Sequence, residues 1–415
     1  MLSNKSGRLI APGGLRGPGL AMLGIVAVVW IGLFIRGRSQ LGLENHVAQT
    51  ISLAGTPAGP VAQAGDGRLY VVTAEQQLVA LSRGGEFAWN KRLTGPVTPV
   101  PIIATAELLV LVGRGVLYGY SLGGEERFRV AVDTELGDLA AADGKGHLGI
   151  LDTGGSLTIF TEQGERQSRT SLGLRHNRRL IVLQSGQLMG VGTRDDGTHH
   201  MFWAEPSGLV GIRSLLPAAP VGVAVSARPG ESVGVTAGRE LWVLAADGPP
   251  EQLVRRLALP GPALSAPLLL AAGDAYVLVQ QAGGEALCHL DPSTGASRCV
   301  PTGDAEPEAP LLPRLPRQPT LGRNGLVFVP FAVKRRLLPS YAGVLALRAD
   351  RLAYRQALPG DSAIYLMADL DGALIAGAGG ESYLFRLDSG GSQPSPYSTW
   401  PQALGSPEAA SRSWR

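Results

Sequence analysis

Few residues in this chain have types and spacings that could do chemistry. Cys288 and Cys299 flank the phrase Asp291-Pro292-Ser293-Thr294-Gly295. If Asp291 pairs with Ala296 across a four-residue turn, counting outward sets Cys288 opposite Cys299 and gives Gly295 the positive-φ position. Directly opposed Cβ atoms lie about 4.5–5.5 Å apart, slightly wide for a bridge, so a disulfide here needs local adjustment. An oxidising compartment favours the bridge, and two part-buried thiols are the alternative. The spacing is not Cys-x-x-Cys, so the pair carries no redox-catalytic signature.

His199-His200 follow Asp195-Asp196-Gly197. The cluster has metal-ligand residue types, but adjacent strand residues face opposite sides, and Asp-Asp-Gly-Thr is turn chemistry. The expectation is a polar hairpin. His176 sits among Arg175, Arg178 and Arg179, as either an anion site or a solvated basic turn. Neither a Gly-x-Ser-x-Gly elbow nor a phosphate-binding loop nor a zincin helix is present. Gly-Gly pairs such as Gly84-Gly85 and Gly123-Gly124 read as hairpin turns.

The elements that position these residues are short and repetitive. From Thr50 to Trp89 the chain reads as four strands: Pro57 to Gln63, Leu69 to Val72, Leu78 to Leu81, and one led by Gly84-Gly85-Glu86-Phe87. Turn residues bound each of them. The apolar second strand returns as Leu108 to Val112, Leu148 to Leu151, Ala275 to Val279, Leu326 to Val329 and Ala373 to Ala376. Eight units start near Gly55, Gly95, Gly137, Gly173, Pro220, Gly261, Asp304 and Gly360, spaced by 36 to 56 residues. That period fits propeller blades of four strands. One four-stranded sheet cannot bury both of its faces, whereas a closed ring of sheets buries them and leaves only short edges. The fold class is therefore all-β, an eight-bladed β-propeller with seven blades as the alternative. Val47 to Ala54 resembles the end strand of a unit and is the candidate for closing the ring against the last blade.

Composition agrees. Of 415 residues, 45% are hydrophobic and 17% charged, with 57 Gly and 30 Pro. That is a turn-rich β chain with too much apolar content for disorder. The net charge of +3 carries no concentrated basic footprint, so no nucleic-acid partner is expected.

The phrase Ala80-Leu81-Ser82-Arg83-Gly84-Gly85-Glu86-Phe87-Ala88-Trp89, with Gly67-Arg68-Leu69-Tyr70-Val71 before it, resembles the repeat of the PQQ-like β-propellers. Leu287 to Gly295 (LCHLDPSTG) matches its Leu-Asp-x-x-Thr-Gly portion, and Tyr120 to Glu125 is a looser copy. The resemblance implies one of two functional kinds. Quinoprotein dehydrogenases bind pyrroloquinoline quinone and calcium and usually carry adjacent cysteines; Cys288 and Cys299 are not adjacent. Non-enzymatic members include the propeller scaffold of the outer-membrane β-barrel assembly machinery, usually lipid-anchored; this chain has no lipid-anchoring cysteine behind its apolar segment. The expectation is a non-enzymatic, cofactor-free, monomeric scaffold that binds envelope proteins. A quinone-dependent oxidoreductase and a ligand-sensing propeller are the alternatives.

Near the N-terminus, Leu20 to Ile35 is uncharged and free of proline, slightly short for a spanning helix. Phe34-Ile35-Arg36-Gly37-Arg38 offers no small-residue cleavage site, so an uncleaved signal anchor is expected over 20–36. Cationic residues on both sides give only a weak lean towards a cytoplasmic N-terminus. The expected layout is a cytoplasmic 1–19, a transmembrane 20–36, a linker 37–46, the propeller 47–401 on the periplasmic side of the inner membrane, and a flexible tail 402–415. Two loops depart from the repeat. Glu306 to Pro319 includes Pro307, Pro310, Pro313, Arg314 and Pro316, which disfavour a central strand. Lys334, Arg335 and Arg336 enlarge a hairpin in the same unit. Both are candidate partner-docking loops, tolerated insertion being the alternative reading.

Overall fold

The computed structural model describes residues 46–387, apart from 138, 184, 209, 227–231, 246–252, 271–273, 303–318, 322–325, 334–340, 349–350, 359–363, 369–373 and 379–381. Every described element is a strand, and the strands form eight antiparallel four-stranded sheets. The chain is an eight-bladed propeller, which settles the choice against seven. The expected anchor, linker and tail lie outside the described residues, save His46. No helix among the described residues is long and apolar enough to cross a membrane.

Blades 1 to 7 run consecutively from Ala62–Gln63, the first strand of blade 1, to Arg351–Leu358, the fourth strand of blade 7. Blade 8 takes its first three strands, Ile364–Ala368, Leu374–Ala378 and Tyr383–Leu387, from the end of the described chain. Its fourth is Val47–Ser52, paired antiparallel with Tyr383–Leu387. The strand predicted to close the ring does so. Opening the ring there means unpairing two neighbouring strands of one sheet that come from opposite ends of the described chain.

The alternation of strand direction defines two rims. Turns between first and second and between third and fourth strands make one, which we call the terminal rim because Val47 and Leu387 pair there. Second-to-third turns and blade-to-blade connections make the other, the linker rim. Pairing across these elements holds the linker rim together, as in Pro57 with Thr73 and Val97 with Gly113. The Pro57–Gln63 strand expected from sequence is in fact the two-residue Ala62–Gln63 preceded by that isolated bridge. Its prolines lack the donors that a longer ladder needs.

Second and third strands are buried along most of their length, as in Leu69–Val72 and Leu108–Gly113. Fourth strands are exposed, as in Phe87–Arg92. Core clusters lie between blades rather than within one: Leu109, Leu111 and Tyr118 of blade 2 join Tyr70, Leu78 and Ala80 of blade 1.

A recurring bulge aims one side chain at the next blade. In blades 1, 2, 3, 5, 7 and 8 the register shifts by one residue near the start of the fourth strand. Bulges re-aim side chains in this way. The residue just after the bulge then meets the third-to-fourth turn of the following blade. Gln49 donates to Gly84 O at 2.8 Å, Trp89 to Leu122 O at 3.1 Å, and Arg255 to Pro292 O at 2.5 Å. The turn also offers a glycine to the side chain laid over it. Phe128 packs so closely on Gly164 (φ +80°) that a Cβ there would sit 2.7 Å from the ring.

Candidate interaction surface

The cysteine expectation holds. Cys288 and Cys299 are register partners and are disulfide-bonded, with Cα atoms 4.0 Å apart. Asp291 N donates to Ala296 O at 3.0 Å and Gly295 has φ +69°. The pair is drawn in closer than the sequence argument supposed. Three steps out from the Asp291–Ala296 hydrogen bond is a close, non-hydrogen-bonded position of an antiparallel ladder. Hydrogen bonds from the Ser293 and Thr294 hydroxyls hold the Asp291 carboxyl low, at about 2. The bridge pins the fourth strand of blade 6, Ser297–Pro301, whose residues are mostly exposed.

The polar hairpin at Asp195–Thr198 is also as expected. Arg194 N donates to Thr198 O, and Gly197 has φ +80°. His199 Nδ1 lies 2.9 Å from Thr193 Oγ1, and His200 Nε2 lies 2.8 Å from Thr198 Oγ1. Among the described residues no group of His, Cys, Asp and Glu is arranged to hold a metal ion.

His176 departs from expectation. It belongs not to a turn but to the first strand of blade 4, Leu174–Val182, which is longer than the first strands of blades 1 to 3. Two register shifts and a positive φ at Asn177 break that strand. Arg175 Nε and His176 Nε2 both face the Asp195 carboxylate, at 3.2 and 3.5 Å. Arg178 is buried, and its guanidinium donates to Leu151 O and Asp152 O of blade 3. It serves as a staple between blades. Nothing in the sequence around Arg178 distinguished it from its exposed neighbour Arg175. A buried cation is tolerated only with such partners.

Other polar groups that the sequence argument did not single out also serve the scaffold. The buried Asp143 carboxylate accepts from Lys145 N, His147 N and the His147 ring at 2.7 Å, closing a first-to-second turn of blade 3. Tyr70 donates to Leu122 O at 3.0 Å; burial and the nearby Asp66 carboxylate push its hydroxyl up to about 12.

Pro307, Pro310, Pro313, Arg314, Pro316, Lys334, Arg335 and Arg336 lie outside the described residues. Their attachment points do not. The first loop leaves blade 6 at Pro301 and rejoins the ring at Thr320, where blade 7 begins. Thr302 ties the departing end down, its N and Oγ1 donating to Glu285 O at 3.0 and 3.1 Å. The second loop joins Leu326–Val333 to Tyr341–Arg348, the second and third strands of blade 7. Both attachments therefore belong to the linker rim, opposite the rim where Val47 pairs. The two loops, expected in one unit, are the connection from blade 6 to blade 7 and a hairpin of blade 7, and share one rim rather than one blade.

The first strands Ile102–Ile103, Leu139–Ala142, Leu268–Leu269 and Ile364–Ala368 contain no charged residue, whereas that of blade 4, Leu174–Val182, holds three arginines.

Comparison with known proteins agrees with this geometry. The family model described as outer membrane protein assembly factor BamB matches residues 38–191. No curated protein sequence matches the chain. Among solved structures, BamB from Moraxella catarrhalis is 12% identical, with a TM-score of 0.55, covering 82% of this chain and 99% of that one. The WD40 domain of SCAP from fission yeast is 10% identical, with a TM-score of 0.56, covering 84% and 99%. The C-terminal WD40 domain of Sif2 is 9% identical, with a TM-score of 0.59, covering 86% and 99%. At these identities the structural likeness is one of fold. With the repeat at Gly67–Trp89 and the ring it builds, the family model matched over residues 38–191 makes the chain similar to the PQQ-like β-propellers.

Proposed function

We propose that this propeller is a non-catalytic protein-binding scaffold of the cell envelope, held to the inner membrane by its N-terminal apolar segment, 20–36. The observation that carries the reading is the match of residues 38–191 to the family model described as outer membrane protein assembly factor BamB. Two features of the ring support it. The polar groups described above close turns and join blades rather than converge on one cavity. The two enlarged loops are rooted on the linker rim, away from the point where the chain enters the ring at His46. Loops carried by a rigid scaffold are the usual places for partner contacts.

The test is deletion of residues 307–316 in the tagged full-length chain, with partners recovered from detergent-solubilised membranes. Loss of partners with the ring still folded, judged by an intact Cys288–Cys299 bridge and an unchanged unfolding midpoint, is the expected result. Unchanged recovery would remove these loops from the docking surface.

A further inference from the structure

The fourth strands share a charge bias that the linear sequence conceals, because they come one to a blade. From residue 46 to residue 387 the chain holds 30 Lys and Arg and 31 Asp and Glu. The fourth strands are Phe87–Arg92, Glu126–Ala131, Arg166–Ser171, Val210–Leu215, Leu253–Ala258, Ser297–Pro301, Arg351–Leu358 and the closing Val47–Ser52. Together they take 12 of those cations and one acid, Glu126. Only Val47–Ser52 has no cation. The rest of the ring is acidic on balance. Each third-to-fourth turn of blades 1 to 7 holds at least one acid, from Glu86 in blade 1 to Asp350 in blade 7.

Part of this bias serves the ring itself. Arg129 pairs with Glu126 at 2.9 Å and lies over the Tyr118 ring at 5.2 Å. Arg169 reaches Asp133 and Asp152 at 3.1 and 3.2 Å, and Arg256 stacks on Trp242 at 4.3 Å. Lys91, Arg92, Arg127, Arg166, Arg298 and Arg351 have no such task. All six are exposed, and none is ion-paired with a described residue. Charge on an edge strand keeps one sheet from pairing with another. Either sign does that, so edge protection does not account for 12 cations against one acid.

We propose that this basic circumference is a docking surface for an acidic, extended segment of a protein partner. The inference rests on the scaffold reading above and gives that partner its charge. The six exposed cations stand on blades 1, 2, 3, 6 and 7. In a ring of eight, blades 2 and 6 lie on opposite sides, as do blades 3 and 7. A flat surface such as a bilayer therefore cannot meet them together, whereas a flexible chain of carboxylates can follow the circumference from blade to blade. Carboxylates accept charge-assisted hydrogen bonds from guanidinium and ammonium groups. The acidic turns repel the same chain from the terminal rim, so it lies across the strands and not over the face of the ring.

The test offers fluorescein-labelled poly-L-glutamate to the full chain, held in phosphatidylcholine nanodiscs at physiological salt, and reads binding by anisotropy. Binding that weakens steeply as salt rises is expected. The combined Lys91→Glu, Arg92→Glu, Arg127→Glu, Arg166→Glu variant should weaken it by about tenfold, while Arg239→Glu, an exposed arginine of the linker rim, should leave it unchanged. Folding is judged by the Cys288–Cys299 bridge and the unfolding midpoint, and Lys91→Gln, Arg92→Gln serves if the fourfold variant does not fold. Absence of binding, or binding unmoved by the substitutions in folded protein, overturns the inference. Recruitment of phosphatidylglycerol vesicles in preference to polyglutamate also overturns it and makes the circumference a lipid surface. In cells, partners recovered undiminished from the charge-reversed chain overturn the inference and leave the scaffold reading standing. Failure to recover any partner with the unaltered chain overturns both.

Discussion

Ring closure depends on one short strand, so Ile51→Ala is the informative perturbation. Ile51 is 2% exposed and packs with Leu53, Val61, Leu69, Val71, Val79, Leu81, Ile375 and Leu384, residues of blades 8 and 1. It also lies against Gly85 of blade 1, where a Cβ would sit 2.7 Å from it. Truncating a buried isoleucine to alanine costs about 2–5 kcal/mol, the cavity adding to the lost transfer energy. At about 3 kcal/mol the opening equilibrium moves roughly a hundredfold. The loss falls on a seam between two chain ends, so it appears first as local opening rather than as global unfolding. Hydrogen exchange read by mass spectrometry is the assay. Faster exchange is expected in Val47–Ser52 and Tyr383–Leu387, with Leu148–Leu151 of blade 3 unchanged. The control is Leu157→Ala, at a site 1% exposed between blades 3 and 4, which should leave the seam protected. Equal acceleration of all blades, or an unperturbed seam in Ile51→Ala, would refute closure as the weak point.

Three further predictions follow from named contacts. Loss of the Cys288–Cys299 bridge, by reductant or by Cys299→Ser, should lower unfolding stability by about 3 kcal/mol for a loop of this length; denaturant titration with and without reductant measures it, and alkylation of the untreated chain should add no mass. Gly124→Ala puts a side chain at φ +90° with its Cβ 2.9 Å from the Trp89 ring; a cost of about 1–3 kcal/mol is expected, against near-neutral behaviour for Gly123→Ala, where the nearest atom is 3.6 Å away. Asp291 has a folded pKa of about 2, below the unfolded value of about 3.9. Its contribution is therefore complete above the unfolded value and is lost as pH falls through the folded one; carboxyl titration by NMR should show this, and Ser293→Ala should raise the midpoint.

How much of this was legible in the sequence depended on which forces act locally. Turn chemistry is local, so Asp291–Gly295 and Asp195–Thr198 could be placed from residue types alone, and the register counted outward from Asp291 and Ala296 set the cysteine pair. The period of the apolar strands counted the blades. Val47–Ser52 was readable as a displaced fourth strand because it has that pattern without its own blade. What escaped was set between blades. The bulge that aims Gln49, Trp89 and Arg255 at the next turn leaves no fixed residue type, since an indole and a guanidinium donate to the carbonyl of the turn's second residue and an amide to that of its third. His176 was misread as part of a turn because Asn177 and the two arginines after it resemble loop composition, while the strand is held by pairing with Thr193 and Val191. The burial of Arg178 is decided by carbonyls of blade 3 about 26 residues away in the chain, beyond any local pattern.

The scaffold reading itself is tested most directly by in-cell cross-linking of the tagged full-length chain, followed by purification from solubilised membranes, mass spectrometry and an absorbance spectrum of the same preparation. Reproducible envelope-protein partners without a stoichiometric chromophore are the predicted result. A stoichiometric bound quinone with no cross-linked partner would contradict it and make the ring an oxidoreductase.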